Sequence, residues 1–313
     1  MGTVVAMRLV SFRLRESAAD THADVGPGAR SAPARTGVVV GDEVVDLTDP
    51  QVGLPGRMIG LLEAGSAALE RAGRAASTAA VRLALDEVRL LAPVPRPPVV
   101  LAIALNYADH IAELDRKRPE VPTFFAKLPT CIVGPDDPVE VPVVSDTLDY
   151  EGELAIVIGR RCRHVPASAA PEVVAGFTIL NDVSLREWQW RAPTFTIGKF
   201  FDTHGPMGPF LVTPDEIGDP HRLHVRTWVN DELRQDGNSA DMLFSCWEQI
   251  EHLSTACTLE PGDVISTGTP AGVGASFDPP RWMRAGDTVR VAIEGVGELS
   301  NPVVDEPAGE RSS

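Results

Sequence analysis

Residues 149–159 read Asp149-Tyr150-Glu151-Gly152-Glu153-Leu154-Ala155-Ile156-Val157-Ile158-Gly159. From Leu154 onward the run is apolar and rich in branched side chains, which reads as a buried strand stopped by a glycine. Side chains alternate along a strand. If the strand begins a few residues early, Glu151 and Glu153 share a face. Two carboxylates on one face beside a buried apolar run repel each other, so they require a cation. Carboxylate oxygens suit a hard divalent ion such as Mg²⁺ or Mn²⁺. The same spacing also fits a solvated strand face.

Around this strand, residues 139–303 are mostly short strands separated by Gly and Pro: GFTILNDVS, GPFLV, LHVRTWVN, DVISTG and DTVRVAIEGVGEL. That spacing predicts an α+β, mostly antiparallel β architecture rather than a regular βαβ repeat. FSCWEQIEHL (Phe244 to Leu253) is the clearest helix in this half, and no repeat of fixed period is visible. Val99 to Ala104 is an apolar run suited to a buried strand, and Asn106 is a candidate cap for a helix reaching Leu114.

The leading part has a different character. Met7 to Phe12 reads as a strand, and TGVVV and EVVDL flank Gly41-Asp42 as a hairpin. Residues 58–87 are rich in Ala, Leu, Arg and Glu, which predicts one or two amphipathic helices. Residues 16–35 have too little apolar content to pack and read as a flexible excursion. Pro93, Pro95, Pro97 and Pro98 mark a boundary. The expected organisation is a small N-terminal α/β domain (1–95), a catalytic domain (99–304) and a disordered tail (305–313).

With 313 residues, the chain needs no disulfide or metal to hold a core. Its net charge of −16 argues against nucleic acid and anionic membranes as partners. The same field repels anions at long range, so any anion site must be locally positive. Cys131, Cys162, Cys246 and Cys257 match no zinc or C-x-x-C pattern. There is no run of about 18 apolar residues, no signal-peptide layout at the start and no HExxH, so the expectation is a soluble, cytoplasmic protein that is not a zincin.

Four further stretches hold chemistry-bearing residues. Asp182 follows Phe177-Thr178-Ile179-Leu180 as either a turn residue or a third carboxylate ligand. Arg186 is four residues on, one helical turn away if the segment is helical. His110 and Glu113 are three apart, a pair that on a helix could act as a base, or could be an ordinary exposed pair. Lys199, among glycines and aromatics, could hold a carboxylate or an enolate oxygen, or could snorkel at a turn. Ser266 to Gly274 (STGTPAGVG) offers backbone N–H groups to an anion, but it fails the nucleotide-loop patterns.

Taken in this order, NYADHIAEL, FFAKLPTCIVGPDDPV, DYEGELAIVIG, GFTILNDVSLREWQ, GKFFDTHGPMGPFL and ISTGTPAGVG resemble the fumarylacetoacetate hydrolase (FAH) family, specifically its smaller bacterial-type members. The resemblance covers Ala102 to about Pro302. It implies an FAH-type mixed β-roll for the C-terminal domain, and a homodimer. It also implies a divalent metal (Mg²⁺ or Mn²⁺, with Ca²⁺ a possible occupant in a crystal) on Glu151, Glu153 and Asp182. It assigns His110 and Glu113 as a catalytic dyad and Lys199 as an active-site lysine. Arg186, Thr269, Lys127 and Tyr107 become candidate substrate contacts. Ala104 and Phe200 depart from the family pattern and would narrow the site. The implied chemistry is a metal-stabilised enolate of a 2-oxo or diketo acid, with hydrolysis of an acylpyruvate-like or fumarylpyruvate-like C–C bond expected first. A heptadienedioate-type isomerase, an oxaloacetate-type decarboxylase, a sugar-acid dehydratase and a non-catalytic binding protein are the alternatives.

Overall fold

A computed structural model describes residues 6–15 and 33–307. The expected flexible excursion therefore lies outside the described residues apart from its last three. Of those, Arg35 already opens a strand. Of the expected tail, Asp305 closes the last strand and residues 308–313 lie outside the description.

The leading segment forms β1 (Arg8–Leu14), β2 (Arg35–Val40), β3 (Glu43–Asp46), α1 (Met58–Glu63), α2 (Gly65–Thr78), β4 (Arg82–Ala84) and β5 (Val88–Leu91). The β2–β3 hairpin turns at Gly41, whose φ of 62° suits glycine. The 58–87 stretch is less helical than its composition predicts, because Arg82–Ala84 pairs with β3 and leaves the helical run.

Next come β6 (Val100–Ala104), α3 (Ala108–Glu113), β7 (Thr123–Lys127), β8 (Ile132–Val133), β9 (Val139–Val141) and β10 (Leu148–Asp149). They are followed by β11 (Gly152–Ile158), β12 (Val174–Asn181), β13 (Ser184–Leu185), α4 (Arg186–Trp190), β14 (Gly205–Val212) and α5 (Pro214–Ile217). The chain ends with β15 (His224–Val229), β16 (Glu232–Asn238), α6 (Cys246–Ala256), β17 (Val264–Ser266), β18 (Thr288–Ile293) and β19 (Gly297–Asp305).

A 12-stranded mixed sheet runs from β4 through β3, β2, β1, β14, β12, β11, β17 and β6 to β7, with β5 and β8 on side branches. A five-stranded sheet, β16-β15-β18-β19-β9, lies beside it. Most pairings are antiparallel; β6–β17, β8–β14 and β9–β19 are parallel. The leading strands share the main sheet with the rest, since β1 pairs with β14.

Strand β11 is buried on both faces. Leu154, Ile156 and Ile158 enter one apolar cluster with Phe177, Val225, Ile250 and Val291. Ala155 and Val157 enter another with Leu9, Val38, Met58 and Leu61. This is why the run reads as continuously hydrophobic instead of alternating.

Asn106 does not cap α3. Tyr107 is the cap residue, and the Asn106 amide instead donates to the Phe244 and Thr267 carbonyls and accepts from the Phe244 N–H. Helix α6 is capped reciprocally: Ser245 accepts from the Glu248 N–H while Glu248 accepts from the Ser245 N–H at 2.8 Å. Ser245→Ala should therefore lower stability by about 1 kcal/mol. It should appear in urea unfolding as a lower midpoint with an unchanged slope.

Candidate active site

The register of two strands assembles the acidic centre. In the β11–β12 pair, Gly152 lies opposite Asn181 and Glu153 opposite Leu180. One step further the Asp182 N–H donates to the Glu151 carbonyl at 2.8 Å. Residues opposite each other, and residues two apart on one strand, share a face. Glu151, Glu153 and Asp182 therefore continue the face that carries Ala155 and Val157. All three are buried, and one oxygen from each lies within 4.8 Å of the others. The E-x-E pattern is thus an interior wall and not a solvated strand face.

Three cations meet these carboxylates. Lys199 Nζ sits 2.5 Å from Glu151 and 3.0 Å from Asp182. Lys127 Nζ sits 2.7 Å from the other Asp182 oxygen and also donates to the Lys199 carbonyl. Arg186 lies 2.7 Å from Asp149 and 2.8 Å from Glu151. It is not one helical turn from Asp182 as expected: β13 intervenes and α4 only begins at Arg186. Its Nη1 also donates to Gln189, while its buried Nη2 has no partner among the described residues. Burial pushes the Glu151 carboxyl up, but Lys199 and then Arg186 outweigh it and hold Glu151 below the usual range. Among the described residues, Glu153 has no ion-pair partner. Burial, then the charges of Asp182 and Glu151, push it well above the usual range.

The 266–275 stretch holds carboxylates belonging to the chain itself. The Ser266 hydroxyl (2.5 Å) and Gly268 N–H (2.8 Å) donate to Glu153. Ala271 N–H donates to Asp109 at 3.2 Å and Gly272 N–H to Glu113 at 2.9 Å. Gly274 and Ala275 N–H donate to Asp149 at 2.7 and 3.0 Å. Gly272 must be glycine: its φ is 103°, and a side chain there would strike the Arg234 carbonyl. The anion expected at this small-residue loop is therefore four side chains of the protein.

On α3, His110 Nδ1 and Glu113 Oε1 are 2.7 Å apart. With Nδ1 donating to the carboxylate, Nε2 is the free acceptor. Burial pushes Glu113 up, but the hydrogen bonds from His110 and Gly272 prevail and hold it below its ordinary value.

His110, Glu151, Glu153, Arg186, Lys199 and Thr269 line one cavity of about 290 Å³. Its other walls include Ile103, Leu114, Phe125, Trp190 and Phe195. Two expected contacts lie off this lining. Tyr107 is wholly buried with an unpartnered hydroxyl among the described residues, and Lys127 reaches the site through Asp182 and the Lys199 carbonyl. Ala104 lines the cavity as expected, whereas Phe200 packs against the cluster around Leu9 and Val157. Sequence reading missed Asp149, Ser266 and Gln189, whose roles depend on distant partners.

The donor set fits a hard divalent ion. It offers three converging carboxylates, one of which has no cationic side chain against it. Four buried carboxylates face three cations, so a divalent ion would make the centre net positive.

Residues 99–304 match the fumarylacetoacetate (FAA) hydrolase C-terminal family. An oxaloacetate tautomerase of Bacillus subtilis (strain 168) is 46% identical over 223 residues, covering 70% of this chain and 74% of that protein. A mitochondrial oxaloacetate tautomerase of Homo sapiens is 41% identical over 300 residues, covering 95% and 92%. Among solved structures, maleylpyruvate hydrolase from Sphingobium sp. SYK-6, in complex with manganese(II) and pyruvate, is 34% identical with a TM-score of 0.75 over 96% of this chain and 99% of that one. With the family match spanning residues 99–304 and relatives of 41–46% identity covering most of its length, the chain belongs to the fumarylacetoacetate hydrolase family of enzymes.

Proposed function

We propose that the enzyme is a divalent-metal-dependent keto–enol tautomerase of a short 2-oxo acid of the oxaloacetate class. One observation carries the reading: His110, held by Glu113, lines the same small cavity as Glu151 and Glu153, with Asp182 converging on those two carboxylates from behind, in a chain that is 41% and 46% identical to two oxaloacetate tautomerases. Hydrolysis was the first expectation because the dyad is intact. An intact dyad serves a proton transfer equally well, and it needs no second substrate to do so.

A Mg²⁺ or Mn²⁺ ion on Glu151, Glu153 and Asp182 would supply Lewis-acid polarisation of the 2-oxo group. The chain's own residues do the rest. His110 Nε2 takes a proton from C3, and the imidazolium formed is stabilised by Glu113. The same nitrogen returns the proton to the former oxo oxygen, which completes the keto-to-enol change. Arg186 Nη2, buried and unpartnered, binds the carboxylate next to the oxo carbon. Lys199 keeps positive charge beside the oxygen where negative charge develops. The apolar walls exclude bulk water.

The test follows the keto–enol change of oxaloacetate by absorbance, with mass spectrometry showing whether cleavage or loss of CO₂ accompanies it. Glu153→Gln should lower the Mg²⁺- or Mn²⁺-supported rate by about 10²- to 10³-fold while the circular dichroism spectrum is kept. Full activity in EDTA would remove the metal from the reading. His110→Ala should lower the rate by about 10²- to 10⁴-fold. Cleavage of acylpyruvates faster than tautomerisation of oxaloacetate would replace this reading with the hydrolase.

A further inference from the structure

The cavity has a third basic wall residue besides Arg186 and Lys199, namely Arg116. Arg186 and Lys199 are both engaged by buried carboxylates. The Arg116 side chain is exposed and, among the described residues, has neither an ion-pair nor a side-chain hydrogen-bond partner; only its backbone N–H is used. It is thus the cavity's one guanidinium without a carboxylate.

Its position is set by the helix that carries the dyad. Helix α3 is capped at Leu114, and Asp115 turns left-handed with φ 49°. The Asp115 N–H then donates to the Ala112 carbonyl at 3.2 Å, and the Arg116 N–H to the Ile111 carbonyl at 3.1 Å. This pair of bonds is the Schellman arrangement, which closes a helix and fixes the direction of the residue after the turn. Arg116 is therefore tied to His110 and Glu113 by hydrogen-bonded backbone and not by a loose loop.

We infer that Arg116 is a specificity-determining residue that receives the distal carboxylate of a dicarboxylate substrate. The inference rests on the tautomerase reading and narrows it to 2-oxo diacids. The deep end of the cavity already has partners for a 2-oxo carboxylate. A second carboxylate at the other end of a short chain needs a cation, and a planar guanidinium can bind it through two parallel N–H groups. Arg116, Lys117 and Arg118 also form an exposed basic run on a chain of net charge −16. Diffuse attraction by that run is the competing explanation, and Lys117 separates the two because it does not line the cavity.

The experiment measures, by calorimetry with Mn²⁺ present, the dissociation constants of malate and lactate, which differ in the second carboxylate. The wild-type protein should prefer malate. R116A should lower that preference about ten- to hundredfold, R116K should restore part of it, and K117A should leave the ratio in place. A wild-type ratio in R116A, or an equal loss in K117A, would overturn the inference. Failure of the parent reading looks different: a protein that selects malate through Arg116 but does not tautomerise oxaloacetate loses the tautomerase assignment and keeps the diacid contact.

Discussion

The site depends on a buried charge cluster that no member can leave alone. Glu151, Glu153, Asp182 and Asp149 face Lys127, Lys199 and Arg186, and all seven are buried. Removing one partner from a buried ion pair strands the other charge, at a cost of about 3–5 kcal/mol. Amide N–H groups of the 266–275 stretch share the load by donating to Glu153, Asp149, Glu113 and Asp109. The acidic centre and the helix that carries His110 and Glu113 are thereby fixed to one short piece of backbone.

That common anchor accounts for a division of labour among the carboxylates. Glu151 is met by Lys199 and Arg186, and Asp182 by Lys127 and Lys199, so each has two cations against it in the interior. Glu153 has only a hydroxyl and an amide. Burial without a cation raises the affinity of its oxygen for any positive species, a proton or a metal ion. The cluster is thus complete in geometry but short of one positive charge.

Much of this was legible in the sequence wherever a pattern was local. The apolar run after Glu153 reads as a buried strand, which the structure packs on both faces, and the i,i+3 spacing of His110 and Glu113 becomes an actual hydrogen bond. What local pattern could not show is which partner each polar group would find. Asn106 has the chemistry of a cap, yet tertiary approach of Phe244 and Thr267 offers it more hydrogen bonds. Arg186 is spaced for Asp182, yet Asp149 lies nearer because β10 pairs with β13. The STGTPAGVG stretch reads as an anion loop, which is right in kind, but its anions come from residues over a hundred positions away, two of them on α3.

The pairing of β1 with β14 ties the described strands and helices of the leading segment to the fate of the centre. Leu9, Val38 and Met58 share one apolar cluster with Ala155 and Val157, the strand positions directly beyond Glu153. A chain cut at the proline-rich stretch would bare that cluster and leave an edge of β14 without its neighbour. Melting of the leading segment therefore spreads to the strand that holds the carboxylates, and the two parts lose order as a single cooperative unit.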